Sequence, residues 1–198
     1  MCLVTRHAGS LRLPVSDWDN SPDSSFDLPR IVEVFNRCGV SYVAIGGVSG
    51  MLHGAVYYVT QDVDMMVQAT LENIQRVVAA LIELGVTVDR ELDVADFASN
   101  TQWSTSSGPV DILLSAVGPN ETEITFRELD KSSVLFEVAR GVLVPAASLD
   151  DVIRMKEAAD RVKDHFALPE LRRLRGDLHP GRARDTDPFE EFDVGSDD

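Results

Sequence analysis

Two glycines and two aspartates at a fixed separation constrain this chain more than any other feature. Gly46-Gly47 closes an apolar run, Tyr42-Val43-Ala44-Ile45. Fourteen residues then lead to Asp62-Val63-Asp64, followed by the apolar Met65-Met66-Val67. Short apolar runs bounded by such punctuation read as buried strands. Residues i and i+2 of a strand project to one face, so the two carboxylates are expected to converge. Glycines let a backbone approach a phosphate closely, and a helix opening there favours negative charge. A phosphate-accepting turn beside paired acids is the makeup of a divalent-metal nucleotide site, whereas either half alone is equally an ordinary turn or a solvated strand face.

Further elements build a mixed α/β (α+β) pattern around this pair. Asp27 with Pro29 starts a helix whose apolar positions Leu28, Ile31, Val32 and Phe35 have helical spacing, and Gly39 suits its end. A strand is expected over 41–46, a short helix over 48–54 and a second strand over 60–67. Thr70 caps a helix carrying Leu71, Ile74, Val77, Val78, Leu81 and Ile82, closed by Gly85. Residues 86–100 give no clear pattern. Two strands follow, Gln102–Thr105 and Val110–Leu114, and periodicity leaves 121–129 open between helix and strand. Strands over 134–138 and 142–144 flank a turn at Arg140-Gly141. Ser148-Leu149-Asp150-Asp151 is a capping-box-like start, with a helix running to about Asp160 and on toward Leu174. The expected organisation is a flexible leader, 1–26; an α/β core, 27–147; helices completing the pocket, 148–176; and an acidic disordered tail, 177–198.

Composition bounds the partners. At 198 residues the chain is long enough for a substantial core, and 44% hydrophobic content is that of a globular protein. The formal charge of −15 argues against bulk electrostatic attraction to nucleic acid, so an RNA partner needs a local basic patch. Arg161, Lys163, Arg172 and Arg173 are the candidates; a solvated helix face explains them somewhat more simply. Two cysteines form no disulfide framework, and no apolar stretch reaches the ~18 residues of a membrane span. A cytoplasmic protein without membrane contact is expected.

Several single residues complete the candidate site. Asp111 lies in the apolar run Val110-Asp111-Ile112-Leu113, where an isolated acid needs a partner, and it is the natural third metal ligand. Ser49 adds a hydroxyl in the first turn after the glycines. Lys156 continues the inward stripe Leu149, Val152, Ile153, either to neutralise a triphosphate or to snorkel at the core edge. Thr60 shares the alternation of the two acids; a phosphoryl group there would bring about two negative charges beside them. His53, Trp18 and Trp103 read as packing residues.

The order Ile45-Gly46-Gly47, spacer, Asp62-Val63-Asp64 resembles the nucleotidyltransferase superfamily signature. Together with Val144-Pro145, Ser148-Leu149-Asp150-Asp151, Lys156 and Arg161-Val162-Lys163-Asp164, it resembles the AbiEii-type branch. It is most similar there to the MenT toxins of bacterial toxin–antitoxin pairs. The likeness spans roughly 40–175. It implies a nucleotidyltransferase-like mixed sheet flanked by helices, with a small helical part after it. It also implies Mg2+ (or Mn2+) on Asp62, Asp64 and Asp111, a nucleoside triphosphate (NTP) near Gly46, Gly47, Ser49 and Lys156, and a catalytic role for Lys156 and Asp164. Lys156 and Asp164 are expected on one face of one continuous helix.

The resemblance implies attack by a hydroxyl on the α-phosphate, with release of pyrophosphate. One metal would activate the hydroxyl and a second would stabilise the leaving oxygen. The implied acceptor is the 3′ end of tRNA, and the implied partner is a cognate antitoxin, in some cases kinase-like and acting at the position of Thr60. Tyr58 stands where the family often has arginine, which removes one expected contact. Two other readings compete: nucleotidyl transfer to a small molecule such as an aminoglycoside-like antibiotic, and nucleotide binding without catalysis.

Overall fold

The computed structural model describes residues 25–56 and 60–176. Six strands form one mixed sheet: β1 (Tyr42–Ala44), β2 (Val63–Val67), β3 (Thr101–Thr105), β4 (Gly108–Leu113), β7 (Val134–Ala139) and β8 (Val142–Ala146). Their order is β3-β4-β2-β1-β8-β7, with β2–β4 and β1–β8 parallel and the other pairs antiparallel. A small hairpin, β5 (Ser115–Val117) with β6 (Glu123–Thr125), stands apart from this sheet.

Alternation along the strands sorts the sheet into two faces. Val63, Met65 and Val67 of β2, with Val110 and Ile112 of β4, join the larger core beneath α1 (Leu28–Arg37) and α3 (Leu71–Glu83). Met66 turns the other way, into a second core with Val43 and Ile45. That core is closed by Val152 and Ile153 of α5 (Leu149–Ala159) and by Leu168 and Leu171 of α6 (Val162–Arg175). Asp64 and Asp111 therefore emerge on the side of the C-terminal helices.

The capping residues act as their chemistry requires. The Asp27 carboxylate accepts from Arg30 N–H, Thr70 from Asn73 N–H and Ser148 from Asp151 N–H. Asn73, buried in α3, clips the main sheet in place. Its side chain accepts from Ser41 N–H and donates to Ser41 and Gln68 carbonyls, at the entry to β1 and the exit of β2.

Several expectations are corrected. β1 and β2 are shorter than the spans expected for them, and Asp62 lies in a bend ahead of β2, not on it. The short helix α2 (Gly46–Leu52) starts at the first glycine. The undecided stretch 121–129 is both elements in turn: β6, then α4 (Phe126–Ser132). Residues 94–97 of the unassigned segment form a 3-10 turn capped by Asp93. The C-terminal helix is not continuous: it breaks at Asp160, which adopts a left-handed conformation with φ 47°. Phe26, expected in the leader, is buried in the main core, while 1–24, Tyr58 and the tail 177–198 lie outside the described residues. No described helix is long and apolar enough to cross a membrane.

Replacing Asn73 by Ala strands the Ser41 N–H and removes one of the two hydrogen bonds that each of the Ser41 and Gln68 carbonyls accepts. It is expected to lower unfolding stability by about 2 kcal/mol, read as a shift of the urea midpoint. Because α3 covers the face away from Asp64 and Asp111, metal and ligand binding at the opposite face should be unchanged.

Candidate active site

The sheet meets α5, α6 and the β5–β6 hairpin around a cleft of about 860 Å³. One wall carries acids. β2 and β4 run parallel with Asp64 opposite Asp111, which sets the two backbones about 4.8 Å apart with both side chains on one face. Asp62 lines the same cleft from the bend before β2. Asp111 is only 7% exposed, and its Oδ1 is buried without a hydrogen-bond partner.

Burial and charge crowding act together on Asp64. Burial, reinforced by the neighbouring charges of Asp62 and Asp111, pushes its pKa up to about 7; Lys163 and Arg161 oppose this only in part. Like carboxylates this close favour protonation, or a cation between them.

The glycines are explained by this acidic wall. Gly46 has φ +61°, and a Cβ there would lie 2.1 Å from Asp64 Oδ2. A Cβ on Gly47 would lie 2.6 Å from the Thr60 Cβ. The turn thus presses directly against the acid-bearing segment, with Ile45 N–H donating to the Asp64 carbonyl at 2.9 Å. Any residue with a side chain at Gly46 would displace the Asp64 carboxylate. Thr60 belongs to the same contact, since its hydroxyl donates to the Asp62 carbonyl at 3.1 Å and to Asp62 Oδ1 at 3.0 Å. That local bond, rather than strand alternation, aims Asp62.

The opposite wall carries cations. Lys156, 6% exposed, donates from Nζ to Asp164 Oδ1 at 2.8 Å. Arg161 Nε donates to Asp164 Oδ2 at 2.7 Å. Lys156 lies before the break at Asp160 and Asp164 after it, so the left-handed turn, not a shared helical face, brings them together. Burial works to raise the Asp164 pKa, but hydrogen bonds from Arg161 and Lys156 and their charges outweigh it. The carboxyl is held below its usual range. Asp164 is fully buried and does not line the cleft, so it orients Lys156 and Arg161 rather than touching a ligand.

Other expected residues fall elsewhere. Ser49 is fully buried, and its hydroxyl donates to the Ala147 carbonyl at 2.8 Å, tying α2 to the end of β8. It lies behind the cleft, not in it. Of the basic candidates, Arg161 and Lys163 line the cleft. Arg172 instead pairs with Glu157 at 2.5 Å, and Arg173 lies 3.9 Å from Glu170. His53 packs edge-on against Phe136, and Trp103 packs against Phe97, as expected of packing residues. Phe166 belongs to no sequence motif, yet it lines the cleft while 80% exposed. The available signal was its position, out of step with the buried Leu168 and Leu171 of the same helix.

Among the described residues, no three His, Cys, Asp or Glu side chains are gathered into a ready-made ligand set. The acidic wall nevertheless fits a hard divalent cation. It offers oxygen donors, an unpartnered buried Asp111 Oδ1, and an Asp64 carboxyl driven up by burial and by the neighbouring acids.

Two of the similar solved structures support the architecture. The lincosamide antibiotic adenylyltransferase LnuA, solved with lincomycin bound, is 19% identical, with 73% of this chain and 93% of that chain covered and a TM-score of 0.51. A candidate nucleotidyltransferase from Thermotoga maritima is 19% identical over 76% of this chain and 91% of its own, with a TM-score of 0.51. The antibiotic-resistance factor ANT(2'')-Ia is 20% identical over 73% and 78%, with a TM-score of 0.47. By the first two, the fold is nucleotidyltransferase-like: a mixed sheet flanked by helices, as expected. No protein-family profile matches the chain, and no curated protein does.

The Asp64 shift makes stability depend on pH with a definite sign. The folded chain keeps the Asp64 proton to about pH 7, the unfolded chain only to about pH 4. Between those values the folded state binds more protons, so this carboxyl's contribution to stability falls as pH rises from about 4 to about 7. Without added divalent cation, Asp64→Asn should remove that slope and raise stability at pH 8 by on the order of 2 kcal/mol, measured by urea unfolding across the range.

Proposed function

We propose that this protein is a metal-dependent nucleotidyltransferase that transfers a nucleotide from an NTP to an acceptor hydroxyl, releasing pyrophosphate. One observation carries the reading: a single cleft sets Asp62, Asp64 and Asp111 on one wall and Lys156, Arg161 and Lys163 on the other. Asp62, Asp64 and Asp111 would hold Mg2+ or Mn2+, which supplies Lewis-acid polarisation of the α-phosphate and lowers the pKa of a bound hydroxyl. The cationic wall meets the phosphate tail. Lys156, fixed by Asp164, lies within the pocket, and Arg161 and Lys163 stand nearer solvent.

The acceptor oxygen forms a bond to the α-phosphorus, and the bond from that phosphorus to the bridging oxygen breaks. The hydroxyl proton passes to a carboxylate oxygen of the acidic wall. The leaving pyrophosphate takes the bridging electron pair, and the cations neutralise the charge it develops. Gly46 keeps the acids accessible, since a side chain there would occupy the place of the Asp64 carboxylate. Positioning and electrostatics do the catalysis; no covalent enzyme intermediate is involved.

For the acceptor we propose the 3′ end of tRNA, supported by Arg161 and Lys163 at the cleft and by the AbiEii- and MenT-like order of motifs. This reading makes the protein a toxin held by a cognate antitoxin. Thr60 Oγ1, half-buried at the cleft and bonded to Asp62, is the position where a kinase-like antitoxin would act. A phosphoryl group there would add up to about two negative charges to an already crowded wall. Intact-mass analysis after co-expression with the neighbouring gene product should show a phosphoryl adduct on Thr60; an unmodified chain retaining full transfer activity contradicts this control.

A small-molecule acceptor is the second reading. It is favoured by the −15 charge, which disfavours a polyanion, and by the fold shared with the lincosamide-modifying LnuA. Incubation with each α-labelled NTP, Mg2+ and either total tRNA or a lincosamide and aminoglycoside panel separates the two. Labelled RNA supports the first reading, and a labelled drug with unlabelled RNA replaces it with the second. In either case Asp62→Ala should lower kcat by at least roughly 10²–10³-fold with the fold intact. Full activity in that variant removes Asp62 from the site.

A further inference from the structure

Phe166 has a property that the charges of the cleft do not explain. It is the one aromatic among the exposed large apolar residues described, and it lines the cleft. A scattered exposed apolar residue is ordinary. Here its position is not scattered. Lys163, Phe166 and Ala167 are spaced i, i+3 and i+4 along α6, so they share one helical face, and all three line the cleft. Val117 of the β5–β6 hairpin, also exposed, contributes a further apolar surface to the same cleft.

One helical face therefore presents a cation and, about one turn (~5 Å) further on, the open surface of an aromatic ring. Ala167 beside the ring adds little bulk. Phosphate and base are joined by a sugar in any nucleotide, so a ligand whose phosphate meets Lys163 has its base within reach of the ring. Aromatic side chains bind bases through their π-faces with little sequence demand. Resting on the nucleotidyltransferase reading, we propose that Phe166 is the stacking platform for a nucleobase entering the cleft, with Lys163 taking the adjoining phosphate. The base belongs either to the NTP or to the terminal nucleotide of an RNA acceptor.

The test uses the full chain with Phe166→Ala and Phe166→Trp, which alter an exposed side chain and leave the core untouched. Calorimetric titrations compare Mg2+-ATP, -GTP, -CTP and -UTP with Mg2+-tripolyphosphate, which carries the charge but no base. The expected result is binding of at least one NTP weakened about tenfold or more in the Ala variant, recovery in the Trp variant, and unchanged tripolyphosphate binding. That outcome assigns the base to the NTP. Unchanged NTP affinity with a raised KM for tRNA, again restored by Trp, assigns it to the acceptor. Equal loss for NTP and tripolyphosphate, or no change in any arm, overturns the platform while leaving the charged site standing. A wild-type chain that binds neither NTP nor tripolyphosphate overturns the function on which the platform rests.

Discussion

The parallel pairing of β2 with β4 sets Asp64 directly opposite Asp111, and the rest of the cleft is arranged around that juxtaposition. Two carboxylates on one face of a buried sheet repel each other and lose hydration. The cost is visible in the Asp64 carboxyl, raised to about 7, and in the unpartnered Asp111 Oδ1. A chain under pressure only for stability would place apolar residues there, as it does at Met66 and Leu113 further along the same face. Paired buried acids kept at such a cost indicate a site.

The surrounding structure serves to hold this arrangement open. Gly46 and Gly47 lack side chains where Asp64 and Thr60 press against the turn. Thr60 aims Asp62 through its hydroxyl. On the far wall, Asp164 balances Lys156 and Arg161, so that two cations face the acids without collapsing onto them. A buried ion pair of this kind contributes little net stability, because desolvation offsets its attraction, but removing one partner leaves the other charge stranded. Its role is to fix the position of an amine.

Much of the fold is legible in the sequence because local chemistry dictates it. Asp27, Thr70 and Ser148 cap helices because their side chains accept the free N–H groups of a first turn. Gly39, Gly85 and Gly141 mark turns because only glycine takes their positive φ cheaply. The paired acids and Asp111 are legible as isolated charges in apolar runs. What escapes the sequence depends on contacts distant along the chain. The break at Asp160 has no glycine to announce it, yet it makes the Lys156–Asp164 contact. Ser49 looks like a phosphate ligand until the Ala147 carbonyl, 98 positions away, is seen to accept its hydroxyl proton. Phe166 is invisible as a site residue until the hairpin and α5 enclose a cleft beside it.

The central claim is that Asp62, Asp64 and Asp111 form one divalent-cation site facing a nucleotide. Anomalous diffraction from crystals soaked with Mn2+ and a non-hydrolysable NTP analogue tests it most directly. The account predicts a manganese peak coordinated by oxygens of these three aspartates, with the α-phosphate on the same ion and the phosphate tail toward Lys156. Manganese elsewhere, or an ordered nucleotide in the cleft whose phosphates avoid the acidic wall, would contradict it.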